Sequence, residues 1–480
     1  MTDMLPKSLT SLTVRRLPEH IDIYSLPRTL QTLNIGHITE DCKVSGTLPP
    51  SITSMKLNKT TYDQLCVARD LSDSLRSLTL LHEDRTEDPK VEVLPTSLTS
   101  LVFVPYCSIT HQSPANLVLP SGLLELTYSE GFNYVIPVGY LPDTLTSLHF
   151  NDQFNMDIQP GSLPSSLRSL SFGYYYSKEF QPGVFPHGLQ TLIFPREYDY
   201  PIPHLPQSLT TLSLGECPEW PFAPGALSPS ITNFTYGSLC DTAIEYIREM
   251  HNLKTLTFES DFDYPLSPGS LPQSITKLSF GGPLDSTIEI GSFPSSLTSL
   301  SFEFLEQPID PDVFPSSITH LSLCDLPSQQ TGPITMPSGV KHLGLWNLGQ
   351  CLKLNSESTF ERLTIHGGDY ISCLEAHGCS SDEPFTMIRI GQLHIKIARD
   401  DDPISASDAI SYIVGQARNI LNPIVFPNVH TFHIESRDSF NFQLRWVDAK
   451  WAIITMERDG AIRIWTFQLE YDEYYDDESE

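Results

Sequence analysis

Apolar and polar positions along this chain follow one short rule, repeated many times. In Leu141-Pro142-Asp143-Thr144-Leu145-Thr146-Ser147-Leu148-His149-Phe150, the anchor Leu145 is followed by apolar residues three and five positions later. The spacing returns in Leu163-Pro164-Ser165-Ser166-Leu167-Arg168-Ser169-Leu170-Ser171-Phe172 and in Phe293-Pro294-Ser295-Ser296-Leu297-Thr298-Ser299-Leu300-Ser301-Phe302. Positions anchor+3 and anchor+5 differ by two, so both fall on one face of a short extended strand. So short a strand buries little alone. Stacked copies bury a shared face by pairing into one long parallel sheet.

The anchors fall at Leu9, Leu30, Ile52, Leu75, Leu98, Leu123, Leu145, Leu167, Leu189, Leu209, Ile231, Leu253, Ile275, Leu297, Ile318 and Val340, with a decayed copy at Phe360. A spacing near 22 predicts about seventeen units over roughly residues 5–367. The proline before most anchors fixes φ and donates no N–H, which suits the loop leading into a strand. The Ser just before the anchor is placed to bond nearby backbone and tighten that loop.

The second half of the unit repeats too. Phe132-Asn133-Tyr134-Val135-Ile136, Phe154-Asn155-Met156-Asp157-Ile158, Tyr198-Asp199-Tyr200-Pro201-Ile202 and Phe262-Asp263-Tyr264-Pro265-Leu266 share one register. The aromatic and the aliphatic are expected to plug the core. The Asn or Asp is expected to cap backbone groups in a turn.

This unit resembles the FNIP repeat, a 22-residue variant of the leucine-rich repeat found in proteins of social amoebae and of giant viruses that infect amoebae. The likeness covers about three quarters of the chain. It implies a leucine-rich-repeat-like solenoid, with the parallel sheet on a concave face and turns and short helices on the convex one. The Phe-Asn-Ile-Pro string never appears whole here. Some relatives carry an F-box before the repeats, whereas here repeat sequence begins within the first ten residues.

Two units depart from the turn pattern. Thr61–Ala68 and Asp241–Met250 read as short helices, the second with Asp241 as cap and Ile244 and Ile247 facing inward. From Gly368 the period is lost. Strands are expected at Met387–Ile397, Val429–Ile434, Phe440–Val447, Trp451–Glu457 and Ala461–Leu469, and a capped helix at Ala409–Leu421. Asp459-Gly460 is a hairpin signal. Residues 368–469 therefore read as a small α+β domain that either caps the open solenoid end, as such ends need protection, or acts independently. Residues 470–480 read as an acidic, solvated tail.

Charge narrows the partners. The chain carries 58 Asp and Glu against 29 Lys and Arg, a net −29. Nucleic-acid backbone and anionic membrane are disfavoured as ligands. No secretory leader is expected at Met1-Thr2-Asp3-Met4, and no apolar run reaches the roughly 18 residues of a membrane span. Nine scattered cysteines suit a reducing, cytoplasmic setting, the host cytoplasm for a viral protein.

Searches for chemistry return little. The chain has no G-x-x-x-x-G-K-[ST], H-E-x-x-H or G-x-S-x-G motif. His366-Gly367-Gly368-Asp369 is like an oxyanion loop but has no partnered Ser motif. Cys351, His366, Cys373, His377 and Cys379 gather in sequence, yet their spacing departs from paired zinc ligands. No catalytic residue, metal or cofactor is expected, and the reading is a non-enzyme.

The anchor+4 row should face outward on the concave side. Its hydroxyl-rich stretch, with His149, Ser171, Ser213, Thr235, Thr257, Ser279, Ser301 and Ser322, is the candidate partner-binding surface. Seventeen strands at 4.8 Å give a row about 75 Å long, which suits a protein rather than a small substrate. The expected function is a protein-interaction scaffold. The alternatives are an adaptor in ubiquitin-linked turnover, implied by the family alone, and a structural component of a larger assembly.

Overall fold

The computed structural model describes residues 5–16, 20–22, 26–37, 43–45, 48–58, 73–81, 94–103, 117–128, 132–215, 227–237, 243–284, 287–305, 310–323, 336–345 and 359–366, together with five C-terminal strands as backbone. The chain forms two compact units, Met1–Tyr246 and Ile247–Glu480.

The first unit is a parallel ladder. Its strands are β1 (Ser11–Arg16), β2 (His20–Asp22), β3 (Thr32–His37), β4 (Lys43–Ser45), β5 (Ser54–Asn58), β6 (Ser77–Leu81) and β7 (Ser100–Phe103). They continue with β8 (Glu125–Thr127), β9 (Ser147–His149), β10 (Ser169–Ser171), β11 (Thr191–Ile193), β12 (Thr211–Leu214) and β13 (Asn233–Tyr236). Apart from β2 and β4, which pair with each other, each strand pairs in parallel with the next.

The second unit repeats this order with β14 (Thr255–Phe258), β15 (Lys277–Pro283), β16 (Ser299–Phe304), β17 (His320–Leu323), β18 (His342–Leu345) and β19 (Thr359–Ile365), again in parallel. Helix is scarce. Among the described residues there are α1 (Ala243–Arg248) and a 3-10 turn at Pro311–Val313. Ile244 and Ile247 of α1 are buried, as their spacing predicts. Asp241 and the other expected helix, Thr61–Ala68, lie outside the described residues. The repeats of both units thus form a parallel β-solenoid with very little helix among the described residues.

A strand begins two residues after every anchor from Leu9 to Val340. The reason is a tight turn. From Leu98 to Val340 each anchor N–H donates to the carbonyl three residues back, as Leu167 does to Pro164 at 3.1 Å and Leu297 to Pro294 at 3.0 Å. Proline's fixed φ suits the turn, and its missing N–H is not needed there. The anchor side chain then points straight into the core: Leu145, Leu167 and Leu297 are 0% exposed. A second turn precedes it. Ser162 N–H donates to Gln159 at 3.0 Å across Pro160-Gly161, and Gly161 sits at φ +85°, a type II geometry that favours glycine.

The serine before the anchor does more than tighten its own loop. Ser51, Ser74, Ser97, Ser166, Ser208, Ser230, Ser296 and Ser317 each donate to the carbonyl of the preceding unit's anchor, about one repeat back. Ser166 Oγ reaches Leu145 O at 2.6 Å. The turn Asn behaves alike: Asn133 Oδ1 accepts the Asn155 N–H at 2.9 Å, and Asn155 Oδ1 accepts the Ser177 N–H at 3.0 Å. The expected local caps are therefore inter-unit rungs. A side chain standing on the axis of a stack meets the next unit's backbone sooner than its own.

Aromatic columns fill the interior. Phe103, Tyr128, Phe150 and Phe172 stack at successive anchor+5 positions, with centroids 5.7, 6.1 and 5.4 Å apart. Phe132, Phe154 and Tyr176 form a second column at 5.9 and 5.8 Å. Close rungs join the columns, Tyr128 to Phe132 at 3.8 Å and Phe150 to Phe154 at 4.0 Å. Such pairs add about 0.5–1.5 kcal/mol each beyond their burial. The convex aromatics plug the core as expected, with Phe132, Phe154, Tyr198 and Phe262 at 0–1% exposure. Ile136, Ile158 and Leu266 are buried too, while Ile202 is half-buried.

Beyond the repeats, β20 (Arg389–Ile397), β21 (Thr431–Ser436), β22 (Asn441–Trp446), β23 (Trp451–Arg458) and β24 (Ala461–Gln468) lie close to the five expected strands. They join the same sheet: β20 pairs in parallel with β19 and β21 with β20, and β22, β23 and β24 follow antiparallel. The expected helix at Ala409–Leu421 lies outside the described residues, as does the 470–480 segment.

Phe154→Ala, at the crossing of both columns, is expected to destabilise the chain by about 3–5 kcal/mol. Ser166→Ala removes one rung and is expected to cost about 1 kcal/mol. Denaturant midpoints of the purified variants measure both, and a Phe154→Ala midpoint matching wild type would refute the columns' role.

Candidate partner-binding face

Along each strand, burial alternates. Ser77-Leu78-Thr79-Leu80 and Thr255-Leu256-Thr257-Phe258 show buried residues at anchor+3 and anchor+5 and half-buried ones at anchor+2 and anchor+4. The sheet therefore turns two rows outward, not one. The anchor+4 row carries the expected candidates. In the first unit His149, Ser171, Ile193, Ser213 and Thr235 are successive neighbours by register. In the second, Thr257, Ser279, Ser301 and Ser322 are likewise successive. Each unit thus brings its four candidates into one line, interrupted in the first unit by exposed Ile193.

The anchor+2 row was legible in the sequence as well, because the parity that turns anchor+4 outward does the same for anchor+2. In the first unit this row is mostly small hydroxyls, such as Ser147, Ser169 and Thr211. In the second it carries Lys277, His320, His342 and Arg362.

Two local groupings give the face chemistry. His149 Nδ1 is hydrogen-bonded to Ser171 Oγ across neighbouring strands. Partial burial lowers the imidazole pKa below its ordinary 6.5, opposed by the nearby Asp152 carboxylate. An imidazole beside a hydroxyl is part of a nucleophilic arrangement. One Asp152 oxygen accepts the Tyr174 N–H at 2.8 Å. In the second unit the His320 and His342 rings stack with centroids 4.2 Å apart. Desolvation, then the neighbouring His342, Lys277 and Arg362, lower the His320 pKa.

Of the Cys and His residues near 351–379, only His366 lies among the described residues, half-buried. It covers the side-chain-free Gly344, where a Cβ would stand 2.9 Å from His366 Nε2. Among the described residues no group of three or more His, Cys, Asp or Glu is placed to hold a metal ion. No helix among them is long and apolar enough to cross a membrane.

The His149 shift has a definite sign. A lowered folded pKa means the fold favours neutral imidazole. That contribution is full above the ordinary value of about 6.5 and is lost as pH falls through the folded pKa. An NMR titration of His149 is expected to find its midpoint below about 6.5, and His149→Gln is expected to weaken the loss of stability at acid pH. A midpoint above that value would contradict the assignment.

Comparison with known proteins agrees with this geometry. The FNIP Repeat family matches residues 132–175, 176–217, 251–282 and 285–325. Among curated proteins, none matches this sequence. Among solved structures, the chain is similar to CroV588, a giant-virus protein described as a novel circular leucine-rich-repeat structure, at 25% identity and a TM-score of 0.53. The likeness covers 84% of this chain, which spans 58% of that one. Four family segments fall on the parallel ladder, with anchors and strands in one register, and over those segments the chain carries FNIP repeats.

Proposed function

We propose that this protein is a non-catalytic scaffold that binds a protein partner along the outward face of its sheet. Repeat solenoids of this kind characteristically serve protein interaction. The observation that carries the reading is the uninterrupted line of hydroxyls at anchor+4 on β14 to β17: Thr257, Ser279, Ser301 and Ser322. A partner can lie along such a surface without stripping water from many charges, which favours broad contact. The line His149, Ser171, Ser213 and Thr235 serves the same purpose in the first unit.

In this reading the repeats, residues 5–367, are the binding array. The strands beyond them, within 368–469, cap its open end, since an unpaired parallel edge invites stray pairing. The setting is the cytoplasm, where the scattered cysteines stay reduced.

Proximity labelling with the full chain in its native cell tests this. Ser213→Arg and Ser301→Arg each place a bulky cation in one hydroxyl line. Both are expected to reduce labelling of the bound partner by about tenfold, equivalent to 1.4 kcal/mol of affinity, without lowering the thermal midpoint. Asp157→Arg, at an exposed turn away from the face, is expected to leave labelling unchanged. Equal labelling by all three variants would refute the assignment of the face.

A further inference from the structure

The second unit's outward face holds a pair of rings that the scaffold reading does not use. His320 on β17 and His342 on β18 are in-register partners on two parallel strands, both at anchor+2. Their side chains therefore leave the sheet side by side. The rings stack with centroids 4.2 Å apart and planes 11° apart. His320 is exposed and His342 half-buried, so an ion in solution can reach the pair. By register the row continues with Ser299 on one side and Arg362 on the other.

Hydrogen bonding assigns the proton of the His320 ring. Thr319 Oγ1 donates to the Thr298 carbonyl at 3.2 Å. The same oxygen lies 2.9 Å from His320 Nδ1. A hydroxyl has one proton to give, so toward the imidazole Thr319 accepts, and Nδ1 carries the hydrogen. In the neutral ring this leaves the lone pair on Nε2. Metal-ligating histidines are held in this way, with one N–H donated to an oxygen and the other nitrogen offered to the ion.

The spacing suits a shared ion. Zinc–imidazole bonds of about 2.0–2.1 Å at a tetrahedral angle place two nitrogens about 3.4 Å apart. Side-by-side rings at 4.2 Å reach that separation by closing about 0.8 Å, which small rotations of the two side chains supply. Imidazole nitrogen selects zinc, copper or nickel over magnesium and calcium, which take oxygen ligands. The Arg362 guanidinium opposes a cation here, whereas the chain's net −29 attracts one over longer range. We propose that His320 and His342 together chelate one divalent transition-metal ion, His320 through Nε2, with water in the remaining coordination positions. The inference stands independently of whether a partner uses the hydroxyl lines.

Titration of the full chain with zinc chloride, followed by calorimetry and by the imidazole NMR signals, tests it. The His320 and His342 signals are expected to respond together, at one ion per chain. His320→Gln and His342→Gln are each expected to weaken this binding by about tenfold or more, with the thermal midpoint kept because both side chains stand on the outward row. Thr319→Val removes the acceptor that fixes the tautomer and is expected to weaken it by about tenfold. His204→Gln, at an exposed position off the row, is expected to leave it unchanged. Unchanged zinc affinity in either His320→Gln or His342→Gln would overturn the proposal. So would silence of both rings up to about 1 mM zinc chloride, a concentration that reaches even contacts of about 4 kcal/mol.

Discussion

Each repeat of this protein closes its hydrogen bonds through the repeat before it. A strand of three or four residues has one buried face and too little area to hold itself together. The backbone ladder alone would leave the loops around it loose. Inter-unit side-chain bonds solve that problem. The hydroxyl before the anchor reaches the previous anchor's carbonyl, and the turn Asn accepts the next unit's N–H. Loop, turn and strand thus step forward by one common interval. That interval must stay near the length of one repeat, or every rung is lost at once.

The aromatic columns follow from the same constraint. Once the units share a register, residues at equal positions lie directly above one another. A phenylalanine at anchor+5 then meets another phenylalanine, and the rings stack rather than pack at random. Burial is consequently regular: from Leu30 onward the anchors and the two core positions are sealed, while anchor+2 and, except at Gly344, anchor+4 turn to solvent. The face offered to a partner is a by-product of that parity, and its two rows are set by the interior.

The two rows differ in character between the units. The hydroxyl lines present little charge and suit extended contact. The second unit's anchor+2 row carries Lys277, His320, His342 and Arg362, where the first unit's carries mostly small hydroxyls.

Much of this architecture was readable in the residues. The anchors, the inward pair at anchor+3 and anchor+5, the plugging aromatics, the buried Ile244 and Ile247 and the C-terminal strands all follow from period and residue type, which are local properties. The outward parity of anchor+2 was equally available, and with it the row from Lys277 to Arg362. Three things required the tertiary structure. The destination of the anchor-preceding serines is one, because a hydroxyl's partner depends on which backbone stands above it. The joining of β20 to β19 is another, since strand pairing is non-local and loss of the period reads as a new domain. The last is the alignment of Thr466 with Arg362, which arises only when six strands are placed side by side and their registers are carried across.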